Sequence, residues 1–215
     1  MAMTQSAPYP ARLEIDYPDR QLDRVSSFFR FIWIIPIALV LAALSSTGSW
    51  SYVSEAGETV TQSGGGIAGG LFLATAMMII VRQKYPRWWF DFALELERFS
   101  TRVAAYFAFM DDGYPSTTDQ QIVHLDLDYP DVERDLNRWM PLVKWFLLIP
   151  HYIVLVFLFI GAVIAWFIAW LAILFTGRYP RAIFDYFVGF GRWALRVYAY
   201  GFLLITDRYP PFSLQ

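Results

Sequence analysis

The sequence predicts an all-α integral membrane protein built from two pseudo-symmetric repeats. Each repeat is expected to contain a short strand, a helical hairpin in the membrane and an amphipathic interfacial helix. Three observations lead to this fold class: a long uncharged run, an internal repeat, and a composition that is 57% hydrophobic and 19% aromatic. That apolar share exceeds the one typical of soluble domains, and Trp and Tyr favour the boundary between hydrocarbon and headgroups.

The uncharged run covers residues 145–177, which are 33 apolar or neutral residues between two cations. One helix of that length would rise about 50 Å, whereas the hydrocarbon core of a bilayer is about 30 Å thick. A turn at Gly161 would give two arms of roughly sixteen residues, slightly short of a full span. We therefore expect a short transmembrane or deeply re-entrant hairpin over about 141–177; one tilted helix is the alternative.

The internal repeat is visible in short motifs that recur in the same order. Residues 13–19, LEIDYPD, return as LDLDYPD at 125–131, and the Tyr-Pro-Arg motif at 85–87 returns 94 residues later. Conserved order among recurring motifs is typical of a duplicated unit. Repeat 1 is assigned to residues 1–115 and repeat 2 to residues 116–215.

Each repeat opens with alternating apolar and acidic residues, at 13–17 and at 125–129. Alternation of this kind predicts a strand, and Pro18 and Pro130 end the two runs. A lone strand would leave its backbone groups unpaired, so the two strands are expected to pair across a pseudo-twofold axis.

The hairpin of repeat 1 is expected over about 28–81, in two apolar segments. They are joined by residues 45–66, which are rich in Ser, Thr and Gly and lack Lys and Arg, as expected of an exposed loop. With two hairpins, all 17 Lys and Arg residues lie on one side of the membrane. The positive-inside rule then predicts a multi-pass protein with both termini and the 111–140 linker in the cytoplasm.

The third segment of each repeat, 87–110 and 181–205, predicts an amphipathic helix. Charged residues recur there at i, i+7 and i+11, which places them on one helical face. We expect these helices to lie in the membrane interface, where the charged face meets lipid headgroups or a partner; burial as struts in a packed bundle is the alternative. The candidate contacts are Asp91, Arg98, Arg102, Asp185, Arg192 and Arg196.

Several functional classes have little support in the sequence. A net charge of −2 argues against a nucleic-acid partner, and the absence of Cys excludes thiol catalysis and Cys-ligated metals. We expect a capping or packing role for His151 rather than a proton relay, and we interpret the acidic 111–140 linker as a solvated connection rather than a calcium site. No phosphate-binding glycine loop, nucleophile elbow or zinc-protease motif is present. The sequence therefore predicts a protein that is not an enzyme and that holds no cofactor or metal.

Four motifs carry a resemblance to a known family: Ile-Pro-His at 149–151, Phe-Thr-Gly-Arg-Tyr-Pro at 175–180, Arg-Trp at 192–193 and Asp-Arg-Tyr-Pro-Pro-Phe at 207–212. With them, the chain resembles a bacterial family of integral membrane proteins catalogued only as a domain of unknown function. The likeness is strong over about 123–214 and looser in the first half. It implies the bacterial inner (cytoplasmic) membrane as the location and implies no activity.

The expected function is a non-enzymatic scaffold or accessory subunit of an inner-membrane complex. Its partners would be membrane lipids and another membrane protein or a second copy of this chain, because short membrane arms pack together to relieve mismatch with the bilayer. The alternative is a lipid-binding, transport or channel protein. In that case the four candidate arginines would bind anionic headgroups beside a cavity of the duplicated unit or of an oligomer.

Overall fold

A computed structural model of the chain describes residues 8–45, 49–53, 59–63, 67–119 and 121–215. The strands are β1 (Ala11–Ile15), β2 (Ser49–Val53), β3 (Thr59–Ser63) and β4 (Val123–Leu127). The helices are α1 (Arg24–Trp33), α2 (Ile35–Ser45), α3 (Ile67–Arg82), α4 (Arg87–Phe107), α5 (Val132–Asp135), α6 (Met140–Leu147), α7 (Ile149–Thr176) and α8 (Arg181–Gly201).

The predicted fold class, an all-α multi-pass membrane protein of two repeats, is wrong. The protein is mostly helical and also contains two small two-stranded sheets. Among the described residues, α7 is the one helix that is long and apolar enough by itself to span a membrane. Helices α1 and α2 reach that length only together, and they are bent by 41° at their junction.

The hairpin expected over 141–177 is a single long helix, α7, preceded by the short α6. Glycine inside a helix costs only about 1 kcal/mol, which is too little to force a turn at Gly161. A Cβ at this position would lie 2.8 Å from the hydroxyl oxygen of Tyr186. Gly161 therefore allows α8 to approach α7 closely. This glycine marks a packing contact between two helices and not a turn.

The expected pairing of the first and fourth strands is confirmed. β1 and β4 are antiparallel, with Ala11 opposite Leu127 and Ile15 opposite Val123. The alternating pattern puts apolar side chains on one buried face and charged side chains on the other, exposed face. On the buried face, β1 packs against α8 and β4 packs against α4.

The segment predicted as an exposed loop, 45–66, contains the antiparallel strands β2 and β3, with Ser49 opposite Ser63. Their sequences alternate Ser or Thr with larger residues, a period-two pattern that the Gly- and Ser-rich composition obscured. The rest of that loop lies largely outside the described residues.

Helices α4 and α8 start where the sequence predicted, at Arg87 and Arg181. The prediction that their charged faces point outward is wrong for the arginines, which contact the sheet or lie buried, whereas the aspartates of the same faces are exposed. In each helix a proline with extended backbone precedes the first turn, at Pro86 and Pro180. Proline has no backbone N–H and disfavours a helical conformation in the residue before it. The helix therefore begins directly after the proline.

Candidate functional site

Two of the predicted arginines bind the sheet. Arg98 Nε donates to the carbonyl oxygen of Leu125 at 2.9 Å, and Arg192 Nε donates to that of Leu13 at 2.8 Å. Leu13 and Leu125 face each other in the β1–β4 register, so both arginines hold the same cross-strand pair. Both side chains are half-buried, and a role in binding headgroups stays a prediction for them.

The other two predicted arginines are buried inside the protein. Arg102 Nη1 donates to the carbonyl of Ser116 at 3.0 Å, and Arg196 donates to the carbonyls of Arg192 and Gln215. Each side chain is only 6% exposed, which keeps it away from a lipid headgroup in this structure. These contacts correspond to the buried-strut alternative for α4 and α8.

The two predicted aspartates lie on the exposed surface. Asp91 pairs with Arg87 and Asp185 pairs with Arg181, each at 3.2 Å and one helical turn away. Exposed pairs of this spacing contribute a few tenths of a kcal/mol. The six predicted residues therefore do not converge on one site.

A cavity of about 760 Å³ lies between α4, α7 and α8, over the strand β1. Leu13 and Ile15 of β1 contribute to its wall, and Phe159 and Phe167 of α7 line it on the side of that helix. The space exists because the facing positions of the helices carry small residues, namely Ser100, Thr101, Ala104, Ala162, Gly191 and Ala194. The cavity is thus apolar and partly open.

Glu97 of α4 contributes a carboxyl group to this otherwise apolar wall. Burial raises its pKa to about 7, and a hydrogen bond from the Tyr198 hydroxyl opposes that rise only in part. The carboxyl group therefore exchanges between neutral and charged forms near neutral pH. Glu97 was not among the residues predicted from the sequence; the signal that could have identified it was one acidic residue on the apolar side of an amphipathic helix.

Two buried cations lie shortly before the starts of the apolar helices α2 and α7. Arg30 of α1 donates to Asp112 at 2.6 Å and to the carbonyls of Tyr106 and Asp111 at 2.9 and 2.8 Å. Lys144 of α6 is the second, and both side chains are 1% exposed.

The Lys144 ammonium lies 2.8 Å from Asp207 and donates to the carbonyl of Thr206 at 2.7 Å. Burial lowers the pKa of Lys144, and Asp207 opposes that shift. Neither cation site was predicted from the sequence, although each partner aspartate begins an Asp-x-Tyr-Pro sequence, at 112–115 and at 207–210.

The motifs that carried the family resemblance meet around the start of α7. His151 is fully buried, accepts a hydrogen bond from Trp193 Nε1 at 3.0 Å, and stacks on Phe212 with ring centroids 3.9 Å apart. The Tyr209 hydroxyl donates to the carbonyl of Leu147 at 2.9 Å. The packing role predicted for His151 is the one observed.

The other end of α7 is set by Gly177, whose φ of 70° is the left-handed conformation typical of a helix C-terminus. Within the described part of the chain, no group of three or more His, Asp or Glu side chains is arranged to hold a metal ion.

Residues 138–213 match the sequence profile of a family described as a domain of unknown function, DUF4389. The match covers α6, α7, α8 and most of the C-terminal segment, and so includes the residues that gather around His151. It agrees with the predicted resemblance to an uncharacterised family. Neither the curated proteins nor the solved structures contain a match to this chain.

Proposed function

We propose that this is a non-enzymatic membrane protein that binds a lipid-like apolar ligand between α4, α7 and α8. The observation that carries the proposal is the cavity of about 760 Å³ with its apolar lining. Its volume lies within the range of roughly 300–1,000 Å³ typical of small-molecule sites. Walls of this kind favour hydrocarbon over any polar metabolite, because a polar ligand would lose its hydration without gaining partners.

The membrane location is supported by the surface of α7. Large apolar side chains cover most of that surface; Phe157 is 69% exposed and Phe175 is 78% exposed. A contiguous apolar surface of this extent is unfavourable in water and favourable in a bilayer. The bacterial cytoplasmic membrane is the proposed location, with the Lys- and Arg-rich parts of the chain on the cytoplasmic side.

Glu97 indicates which kind of apolar ligand the cavity would bind best. A carboxyl group that titrates near neutral pH can accept a hydrogen bond from a ligand hydroxyl or ammonium group without a large desolvation cost. The proposed ligand therefore has a long hydrocarbon part and a polar end that donates a hydrogen bond.

The test is mass spectrometry of lipids that remain bound after purification in mild detergent. Ala104→Trp places a large ring in the cavity from an exposed position of α4, so the core is not overpacked. We expect it to lower the lipid retained per protein at least roughly tenfold. Ala182→Trp, at an exposed position of α8 outside the cavity lining, is the matched control. Equal lipid in both variants would contradict the proposal.

The second candidate is a scaffold or accessory subunit that binds another membrane protein or a second copy. The observation in its favour is the exposed apolar surface of α1, where Val25, Phe28, Ile32 and Trp33 are all more than half exposed. Native mass spectrometry after gentle extraction tests it. A defined complex supports this role, and a lone monomer that retains lipid supports the cavity instead.

A further inference from the structure

The start of α7 is connected to the start of β1. Lys144, just before α7, pairs with Asp207, and the next residue, Arg208, donates from Nη1 to the carbonyl of Pro8 at 3.1 Å. The Tyr9 hydroxyl also donates to the carbonyl of Arg208 at 3.1 Å. Tyr9 lies two residues before β1, so the buried Lys144 and the polar contacts of Arg208 connect these two starts.

The end of α7 is connected to the end of β1. The Tyr17 hydroxyl, two residues after β1, donates to the carbonyl of Tyr179 at 2.5 Å. The carbonyl of Gly177 accepts from the backbone N–H of Leu22 at 2.9 Å. Helix and strand are therefore joined at both of their ends.

These connections determine the direction of α7 relative to the sheet. The 28 residues of α7 rise about 42 Å, and the extended chain from Tyr9 to Tyr17 spans about 26 Å. Two elements that are joined at both ends run in the same general direction. If α7 crossed a bilayer from one surface to the other, β1 and its partner β4 would therefore also extend through the membrane.

The outer face of the sheet is incompatible with that depth. It carries exposed charged side chains, including Arg12 and Asp128, which form an ion pair and remain about half exposed. Glu14 and Asp126 lie on the same face. A charged side chain at the centre of a bilayer is strongly unfavourable, and lipid-exposed backbone at a sheet edge has no water to bond.

We infer that α7 does not cross the membrane and that the protein is embedded in one leaflet. Helix α7 lies along the membrane plane with its exposed apolar side chains in hydrocarbon, and the β1–β4 sheet faces water on the side of the same leaflet. The partner surface is the headgroup and acyl region of that leaflet.

The charges near the two ends of α7 fit this arrangement. Arg138 lies before α7 and Arg178 follows it, and both are exposed, as is Trp139. Cations and Trp at a membrane surface contact headgroups favourably. In an in-plane helix both ends meet headgroups of the same leaflet. This inference rests on the membrane location proposed above and is independent of the cavity ligand.

The test uses the absence of native cysteine. Three variants, Arg138→Cys, Arg178→Cys and Glu14→Cys, each receive one thiol, near the start of α7, near its end and on the sheet. They are exposed to a membrane-impermeant maleimide in intact spheroplasts and in inverted membrane vesicles. Ala169→Cys, at a fully buried position of α7, is the control for access to the interior.

We expect all three exposed thiols to be labelled in inverted vesicles and none in spheroplasts, with Ala169→Cys labelled only after denaturation. Labelling of positions 138 and 178 from opposite sides would overturn the inference and leave the proposed cavity untouched. Release of the unmodified protein from membranes by an alkaline carbonate wash would instead overturn the membrane location itself.

Discussion

Arg30 and Lys144 occupy comparable places in the two halves of the molecule but hold different numbers of groups. Each lies shortly before a Pro-containing apolar helix, each pairs with an aspartate, and each lies over a tyrosine ring, at 4.4 Å from Tyr106 and 4.7 Å from Tyr200. Arg30 binds three oxygen-bearing groups, and Lys144 binds two. A planar guanidinium can join several acceptors at once, whereas an ammonium is a compact point charge.

The comparison shows what a buried cation requires in this fold. A carboxylate partner is common to both sites, because an unpaired buried charge is strongly unfavourable. The additional carbonyl contacts of Arg30 connect the bent α1–α2 pair to the end of α4. Lys144 is followed by the long helix α7, and its two oxygen-bearing partners both lie in the segment after α8.

Loss of the Arg30 side chain should have the largest effect. Arg30→Ala leaves the Asp112 carboxylate without its cation and removes one donor from each of the Tyr106 and Asp111 carbonyls, and we expect a loss of about 3–5 kcal/mol in the free energy of unfolding. Tryptophan fluorescence during unfolding in mild detergent measures it. Arg12→Ala, which removes an exposed pair, should cost only about 0.2–1 kcal/mol. Similar losses in the two variants would contradict the burial argument.

Replacing Lys144 alone should destabilise the protein strongly, whereas replacing Lys144 and Asp207 together should destabilise it only a little. Lys144→Met leaves Asp207 with an uncompensated charge, and we expect a loss of about 3 kcal/mol. The double variant Lys144→Met with Asp207→Leu should recover most of this loss, because an apolar pair of similar volume replaces the ion pair. The same unfolding measurement applies, and absence of recovery would show that the lysine acts through contacts other than Asp207.

Exchange of the two cations tests whether the number of bonds matters. Arg30→Lys keeps the charge but cannot reach all three acceptors, so we expect a loss of about 1–3 kcal/mol. Lys144→Arg keeps the pair with Asp207 but adds volume at a fully buried site, and we expect about 1–2 kcal/mol from overpacking. If neither exchange changed the free energy of unfolding, the number of bonds that each cation makes would not contribute to stability.

Glu97 sharpens the comparison, because a neutral tyrosine hydroxyl rather than a cation contacts this carboxyl group. The folded protein holds the Glu97 proton more tightly than the unfolded chain does. The contribution of Glu97 to stability is therefore greatest below about pH 4.5, falls as the pH rises through about 7, and is then level. Glu97→Gln should abolish this fall of about 1–2 kcal/mol, discounted for partial exposure. Unfolding of both proteins across that pH range measures it; identical profiles would contradict it.

The local patterns of the sequence predicted several elements well. Alternation at 13–17 and 125–129 predicted the strands β1 and β4, and the expected pairing is observed. The starts of α4 and α8 were predicted at Arg87 and Arg181, and each lies directly after a proline. These features depend on neighbouring residues only, since side-chain alternation and the fixed φ of proline act within a few positions.

Features that depend on distant residues were predicted poorly. The turn expected at Gly161 is a contact with Tyr186 of another helix, and the arginines expected to face headgroups bind backbone carbonyls or lie buried. A helical face can be identified from a sequence as charged. Whether it meets lipid, water or a strand is decided by packing.

The sequence by itself determined that residues 145–177 are too apolar for water and that the outer face of the sheet is too charged for lipid. Both follow from the transfer free energies of the side chains, which are local properties. Only the tertiary structure decided that this helix and this sheet are joined at both ends. That arrangement places an apolar cavity and the carboxyl group of Glu97 between α4, α7 and α8. Contacts between residues far apart in the chain create it, and no pattern within one segment encodes them.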